Sequence, residues 1–379
     1  MSTTYLPNKK TSRKRLRLRR NPYLVPELES EMATAELESE INNDSLPYLP
    51  IDLVPDIFCW LPVKLLVQLR CMCKSWNSLI SDRSFTRKHL SLSTTRRLHY
   101  QHKPREFIHN SYPLESVLTN RSTKVPERRV HLNCIAGSCD GILCISDKPN
   151  CLALFWNPSI RKFKESPPFQ NFEILNKVYS TYGFGYDRVS DNYKVVVLYN
   201  SEPDFPTITT VKIHTLGTNF WKTIPTFPSG THVFDEQSGT HVRGTLNWIA
   251  YTGRRQQGPL FIASFDLGND SYQKLLPPDH AEICQFYLTL SVLRDCLCLI
   301  SDHHIWVMKE YGIHDSWTKL FSVSYMQHPT RCFILSRVLY IFEDDRLLLE
   351  THVDWKTKLV VYDPKNDTFM VTRRGLWIW

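Results

Sequence analysis

Residues 49 to 90, LPIDLVPDIFCWLPVKLLVQLRCMCKSWNSLISDRSFTRKHL, place three short helix signals in one compact stretch, with more apolar surface than three such helices can hide. Asp52 is a good N-cap, able to accept from the orphan amides of the next turn, and Pro55 falls in that first turn, where a missing N–H costs nothing. Leu53, Ile57 and Leu61 follow at i, i+4 and i+8 and make one apolar face. Pro62 stops this helix. On the next segment Leu65, Leu66, Leu69 and Met72 form a stripe, with Lys64, Gln68 and Arg70 off it. A third helix begins near Ser75, with Trp76, Leu79 and Ile80 as its apolar face. Domains below about 40 residues usually need a staple or a partner. The trihelix therefore either packs on the rest of the chain or docks on another protein.

The chain of 379 residues exceeds what one core holds comfortably, so two domains plus a tail are expected. Its 42% hydrophobic and 12% aromatic residues can fill such cores. No run of 18 apolar residues suggests a membrane span. The charged N-terminal region leads into no apolar stretch before Pro22 and Pro26, unlike a secretory leader.

The formal charge of +8 is concentrated in Lys9, Lys10, Arg13, Lys14, Arg15, Arg17, Arg19 and Arg20, which equal the whole excess and leave residues 21–379 formally neutral. A neutral body argues against a broad nucleic-acid-binding face. The basic run reads as a nuclear-localisation signal, a phosphate-binding arm or a solvated charge run. It is followed by the acidic Glu27, Glu29, Glu31, Glu36, Glu38 and Glu40, which attract it weakly and less so in salt.

Eleven cysteines include no C-x-x-C pair, which suggests reduced thiols in the nucleus or cytoplasm. Cys71 and Cys73, two apart on a helix, point in different directions, whereas Cys296 and Cys298 would share one face of a strand. Without a His or Cys at finger-like spacing, buried apolar thiols explain that pair better than zinc.

From about residue 130 the pattern changes to short β-branched and aromatic runs such as Tyr193–Tyr199, Val211–His214 and Leu359–Tyr362. A turn signature recurs: Trp156-Asn157-Pro158 returning to Phe163, Phe265-Asp266-Leu267 to Tyr272, and Tyr362-Asp363-Pro364 to Phe369. Asn or Asp closes an Asx turn, Pro presets the next dihedral, and the flanking aromatics pack across the hairpin. Further hairpins are expected at Asp187 to Asn192, Gly217 to Asn219 and Tyr311 to Ser316. Hairpins spread over nearly 250 residues suggest imperfect propeller blades, too irregular to count.

The order Leu49-Pro50, Asp52-Leu53, Ile57, Leu61-Pro62-Val63-Lys64, Arg70-Cys71, Cys73-Lys74-Ser75-Trp76, Leu79-Ile80-Ser81-Asp82, Phe85 resembles an F-box of the large plant class. Asp56 stands where Glu is usual, Phe58 where Leu is usual, and Leu65 where Ser commonly follows the Lys. Gly183-Phe184-Gly185-Tyr186-Asp187 with Tyr193-Lys194-Val195-Val196, and Val242-Arg243-Gly244-Thr245-Leu246-Asn247-Trp248, resemble the plant F-box-associated domain, with Arg243 replacing the common Asn. The resemblance implies a substrate receptor, and no cofactor or metal is expected from the residues. Its F-box would bind the Skp adaptor of a cullin-based ubiquitin ligase through Leu49, Pro50, Leu53, Ile57, Leu61, Pro62, Val63, Leu65, Leu66 and Leu69. Its β domain would capture a target protein, and ubiquitin transfer would be catalysed elsewhere in the complex.

Two sites compete with this reading. Gly137-Ser138-Cys139-Asp140-Gly141 fits a nucleophile elbow on paper, but that elbow needs a helix after it, and Ile142–Ile145 reads as a strand. Asp140-Gly141 is better explained as a tight hairpin turn with positive dihedrals. His303 and His304 sit beside Asp302 at an expected strand start, where adjacent side chains would point oppositely and share no metal. The expected architecture is α+β and multidomain: a tail over 1–45, a three-helix F-box over 46–92, a linker over 93–129, and a mostly antiparallel, propeller-like β domain over 130–376. Rival functions are a propeller-type carbohydrate binder or enzyme, and a nucleic-acid-binding protein led by the basic tail.

Overall fold

The computed structural model describes residues 51–92, 97–102, 107–114, 129–130, 134–147, 151–169, 180–199, 210–224, 231–233, 237–252, 258–279, 288–301, 303–323, 333–353 and 356–371. The chain forms two compact units, Met1–Val54 and Pro55–Trp379. Of the first, the described part is the 3₁₀ turn Ile51–Leu53 and the first residue of a helix. Four helices follow one another: α1 Val54–Cys59, α2 Val63–Leu69, α3 Lys74–Ser81 and α4 Arg83–Leu92. The fourth has no counterpart among the three helices that the sequence predicts. Asp82 starts it one residue after α3 ends, accepting from the Ser84 amide at 2.8 Å and the Phe85 amide at 3.3 Å. Hydrogen bonds from the Ser84 hydroxyl and from the Phe85 and Ser84 amides hold the Asp82 carboxyl below its usual range. The third helix begins at Lys74, with Cys73 in the N-cap position, one residue before the Ser75 expected.

The β region is a five-bladed antiparallel propeller. Blade 1 comprises β4 Cys134–Cys139, β5 Ile142–Asp147, β6 Leu152–Asn157 and β7 Lys162–Glu165. Blade 2 comprises β8 Ser180–Asp187, β9 Asn192–Tyr199, β10 Thr210–Thr215 and β11 Lys222–Ile224. Blade 3 has β12 Thr231–Val233 and β13 Thr240–Val242, both paired with β14 Thr245–Thr252, then β15 Leu260–Asp266 and β16 Ser271–Leu275. Blade 4 is β17 Leu288–Leu293, β18 Cys296–Ser301, β19 His304–Met308 and β20 Trp317–Ser322. Blade 5 is β21 Phe333–Ile341, β22 Leu347–Val353, β23 Lys356–Asp363 and β24 Thr368–Val371. The β architecture begins before residue 130: the span expected as a linker holds β1 Arg97–His102 and β2 Phe107–Pro113, which pair, and β3 Arg129–Val130 adds to β2. Leu114, just after β2, packs with Leu348, Leu359 and Val361 of blade 5.

Continuous apolar runs exist in blades 2 and 4 because each is sandwiched between two others, and the period of two divides one strand between both neighbours. Val195 and Val197 pack with Phe155 and Ala153 of blade 1, whereas Val196 and Leu198 pack with Leu246 and Trp248 of blade 3. Leu297 and Leu299 face blade 3, and Cys298 and Ile300 face blade 5.

The turn signature does what its chemistry predicts. Asn157 Oδ1 accepts from the Ser159 amide at 3.1 Å, Asp266 Oδ1 from the Gly268 amide at 2.8 Å, and Asp363 Oδ1 from the Lys365 amide at 2.9 Å. Trp156 and Phe163 stack at 5.4 Å, and Tyr362 and Phe369 lie 4.8 Å apart. Four residues after each Asx the backbone turns left-handed, at Arg161 (φ 55°), Asp270 (φ 50°) and Asp367 (φ 49°). The β8–β9 turn repeats the device, with Asp187 Oδ1 accepting from Val189 at 2.8 Å and Asp191 at φ 52°.

Three first-to-second-strand hairpins are two-residue loops with both φ positive: Asp140-Gly141, Arg243-Gly244 and Arg294-Asp295. Arg243 stands at φ 49°, a conformation that penalises an arginine more than an asparagine. Its side chain makes an exposed bond, Nε donating to the Asp295 carbonyl at 3.2 Å. Arg243→Asn should therefore stabilise the chain by about 0.5 kcal/mol and raise the thermal midpoint by a degree or two. A midpoint that falls instead would show the Asp295 contact outweighing the backbone gain.

Candidate docking face

The first helix is apolar on two sides. Val54 and Phe58, at i and i+4, are buried, as is Cys59, while Ile57 and Trp60 point outward. Phe58 meets Trp76 of α3 edge-on, with centroids 5.1 Å apart and planes at 84°. On α2 only Leu66 is buried, at 4% exposure, and on α4 only Phe85. The helices are tied by His89, whose Nε2 donates to the Leu61 carbonyl at 2.9 Å, and by an exposed Lys88–Asp56 pair. Their core is thus small, as three or four short helices dictate.

The sequence-predicted surface divides accordingly. Leu53, Ile57, Pro62 and Leu65 are exposed; Leu61, Val63 and Leu69 are half-buried; Leu66 is a core residue of the helices. The expected stripe of Leu65, Leu66, Leu69 and Met72 therefore splits: Leu66 points in, and Met72 is 71% exposed in the turn after α2. Leu49 and Pro50 lie outside the described residues, as does the basic run Lys9 to Arg20. Sequence reasoning misses three exposed apolar side chains: Trp60, at 70% exposure, Val67 and Met72 as an outward-facing residue. Their signal is surplus, since each adds an apolar position where a core-facing stripe needs none. Beyond Leu53, the large exposed apolar side chains of the helices and their turns are thus Ile57, Trp60, Leu65, Val67 and Met72, which the helical core leaves free for a partner. Cys73 is exposed beside it, its thiol drawn down by hydrogen bonds with the Ser75 hydroxyl and the Trp76 amide.

Among the described residues neither competing site assembles catalytic or metal-binding chemistry; Asp302 lies outside them. Cys139 ends β4 before the expected Asp140-Gly141 turn, and its Sγ lies 3.9 Å from His241 Nδ1. Burial, aided by the Asp140 charge, pushes the Cys139 thiol up to about 12, and burial pushes His241 down. Both partners are neutral at pH 7, so the pair has no thiolate nucleophile. The His241 ring instead packs on Gly185, leaving no room there for a Cβ. Cys298 is buried between blades 4 and 5, with Cys296 half-buried in the same cluster, and burial pushes the Cys298 thiol up. His303 precedes β19 instead of lying in it, so its ring sits 4.0 Å from that of His304 and the two do not point oppositely. Among the described residues no group of three His, Cys, Asp or Glu is gathered as metal ligands, and no helix is long and apolar enough to cross a membrane.

An F-box domain model matches residues 46–88, and the F-box associated beta propeller domain matches residues 89–372. The chain belongs to the F-box proteins that carry this propeller. An F-box/kelch-repeat protein of Arabidopsis thaliana is 33% identical over 340 residues, covering 85% of this chain and 89% of its own. The F-box protein CPR1 of the same plant is 29% identical over 357 residues, covering 86% and 84%. Among solved structures, the WD40 repeats of RRP9 match 73% of this chain and 76% of that one at 11% identity, with a TM-score of 0.38. The F-box match ends inside α4, and the propeller match takes in β1 and β2, where the strands also begin.

Proposed function

We propose that this F-box protein is the substrate receptor of a cullin-based ubiquitin ligase, non-catalytic itself, holding the Skp adaptor on its F-box helices and a target protein on its propeller. The observation that carries the reading is the two-sided α1 and α2: Phe58 and Leu66 are spent on the small helical core, while Ile57, Trp60, Leu65, Val67 and Met72 stand exposed. Apolar side chains left outside the core of so small a module are the material of a protein interface. Target recognition is assigned to the propeller rim where second-to-third-strand and blade-to-blade connections begin and end, because loops on a rigid scaffold carry binding. The opposite rim has tight turns such as Asp140-Gly141 and Arg243-Gly244. The basic run Lys9 to Arg20 supports reading the tail as a nuclear-import signal, for a receptor of the nucleus, the cytoplasm or both.

The test is a pairwise binding measurement between the full chain and a Skp adaptor. Trp60→Asp with Met72→Asp should weaken binding by about 100-fold or more while leaving the thermal midpoint nearly unchanged, because these side chains are 70% and 71% exposed. Full affinity in that double variant, or no affinity in the parent chain, would overturn the reading.

A further inference from the structure

We infer that Asp191 is a clamp holding the F-box helices on the propeller at one fixed angle; on the ubiquitin-ligase reading, on which this function rests, the clamp makes Arg83, Arg87, Tyr186 and Asp191 positioning residues. Arg83 Nη1, on α4, donates to Asp191 Oδ2 at 3.0 Å and to the Asp191 carbonyl at 3.4 Å. Arg87, one turn further along α4, donates through Nη2 to the other oxygen, Oδ1, and to the Tyr186 hydroxyl at 2.8 Å. Tyr186 in turn donates to Asp191 Oδ1. One carboxylate thus receives donors from two modules about a hundred residues apart in sequence, and both of its oxygens are used.

Both ends of the clamp are anchored. Phe85, between the two arginines, is buried and stacks on His89, which ties the same helix to Leu61. On the propeller, Tyr186 packs against its cross-strand partner Tyr193 at 5.2 Å, and the Tyr193 hydroxyl donates to Asp140 of the blade 1 hairpin at 3.0 Å. Asp191 itself is locked in a left-handed conformation by the Asx turn from Asp187. An exposed ion pair alone contributes little. A fork of two guanidiniums on one pre-oriented carboxylate specifies direction, because neither arginine can move without releasing its oxygen. The clamp engages α4 and leaves Ile57, Trp60, Leu65, Val67 and Met72 untouched, so adaptor docking and propeller orientation are set by different residues.

Hydrogen exchange on the full chain, free and bound to a Skp adaptor, tests this by a double-mutant cycle. Asp191→Asn keeps a residue that tolerates the left-handed turn but removes the charge; Arg83→Gln with Arg87→Gln removes the donors from the other side. Each should accelerate exchange in α4 and in the β8–β9 turn about fivefold. The combined variant should be no faster than either, since all remove one shared interaction. Exchange in β17 and β18 should stay at the parent rate, which separates release of the clamp from unfolding. In a reconstituted ligase, clamp release should broaden the set of lysines that become ubiquitinated at unchanged adaptor affinity. Unchanged exchange in α4, additive effects in the combined variant, or the same set of modified lysines would overturn the inference. Failure of the parent chain to bind the adaptor would sink the ligase reading but not the result of the cycle in the free chain.

Discussion

Lys194→Ala should destabilise the propeller by about 3–5 kcal/mol, the cost of leaving a buried charge without its partner. Lys194 is nearly buried in β9, yet all three of its protons are used: Nζ donates to the Leu267 carbonyl, and reaches Asp187 Oδ2 at 3.0 Å and Asp270 Oδ1 at 3.2 Å. Asp187 is 1% exposed. These bonds join blade 2 to the β15–β16 turn of blade 3, and Lys222 adds to the same carboxylate, Asp270 Oδ2, at 2.6 Å. Urea unfolding reads the effect directly. Because the penalty comes from the stranded Asp187, Lys194→Met combined with Asp187→Asn should recover a large part of it. A loss below about 1 kcal/mol in the alanine variant would mean that water enters and replaces the ammonium.

The same site gives the pH dependence a sign. Burial works to raise the Asp187 carboxyl, but hydrogen bonds from Ser190, Lys194 and the Val189 amide more than reverse it and hold it below the usual range. With its folded value below the unfolded value of about 3.9, Asp187 contributes stability that is fully present above that value. It is lost as pH falls through the folded value. In Lys194→Ala the ammonium's hydrogen bond and charge are gone, so the Asp187 carboxyl rises from its folded value in the parent chain, and the variant's deficit should be greatest near neutrality and shrink on acidification.

Much of this architecture can be read from short-range chemistry. The Asx turns at Asn157, Asp266 and Asp363, the aromatic pairs across them and the Asp140-Gly141 hairpin all depend on residues within about seven positions of one another. What escapes the sequence depends on distant or concealed context. Arg97–His102, RLHYQH, becomes a strand by pairing with β2 despite its polar alternation, so by itself it reads as linker. The Arg294-Asp295 hairpin has no glycine to mark its left-handed backbone, one reason the blades cannot be counted from the sequence. In the F-box both sides of α1 are apolar, and a stripe of Leu53, Ile57 and Leu61 is as regular as the one that is buried; only packing shows that Val54 and Phe58 face inward. Arg83 and Asp191 are 108 residues apart, and nothing local in either segment announces the other.

Gly239→Val should cost about 3 kcal/mol by overpacking, because the innermost strands of blades 2 and 3 approach at a point where neither has a side chain. The Gly239 amide donates to the Tyr182 carbonyl at 2.7 Å, and Gly183 and Gly239 form a parallel bridge. Below them lies the Trp248 indole, 1% exposed. A Cβ on Gly239 would come within 2.5 Å of Trp248 Cε2 and Cζ2, and one on Gly183 within 2.7 Å of Cζ2. The ring cannot yield, since Leu246, Val196 and Leu198 fill the same cluster. It is held by packing alone: its Nε1 has no hydrogen-bond partner among the described residues. Trp248→Leu should therefore both destabilise by a cavity and make room for the valine. In the double variant the two losses should fall short of their sum by at least about 1 kcal/mol. Additive losses in chemical denaturation would place the strain of Gly239→Val in the strand pairing and not in the indole pocket.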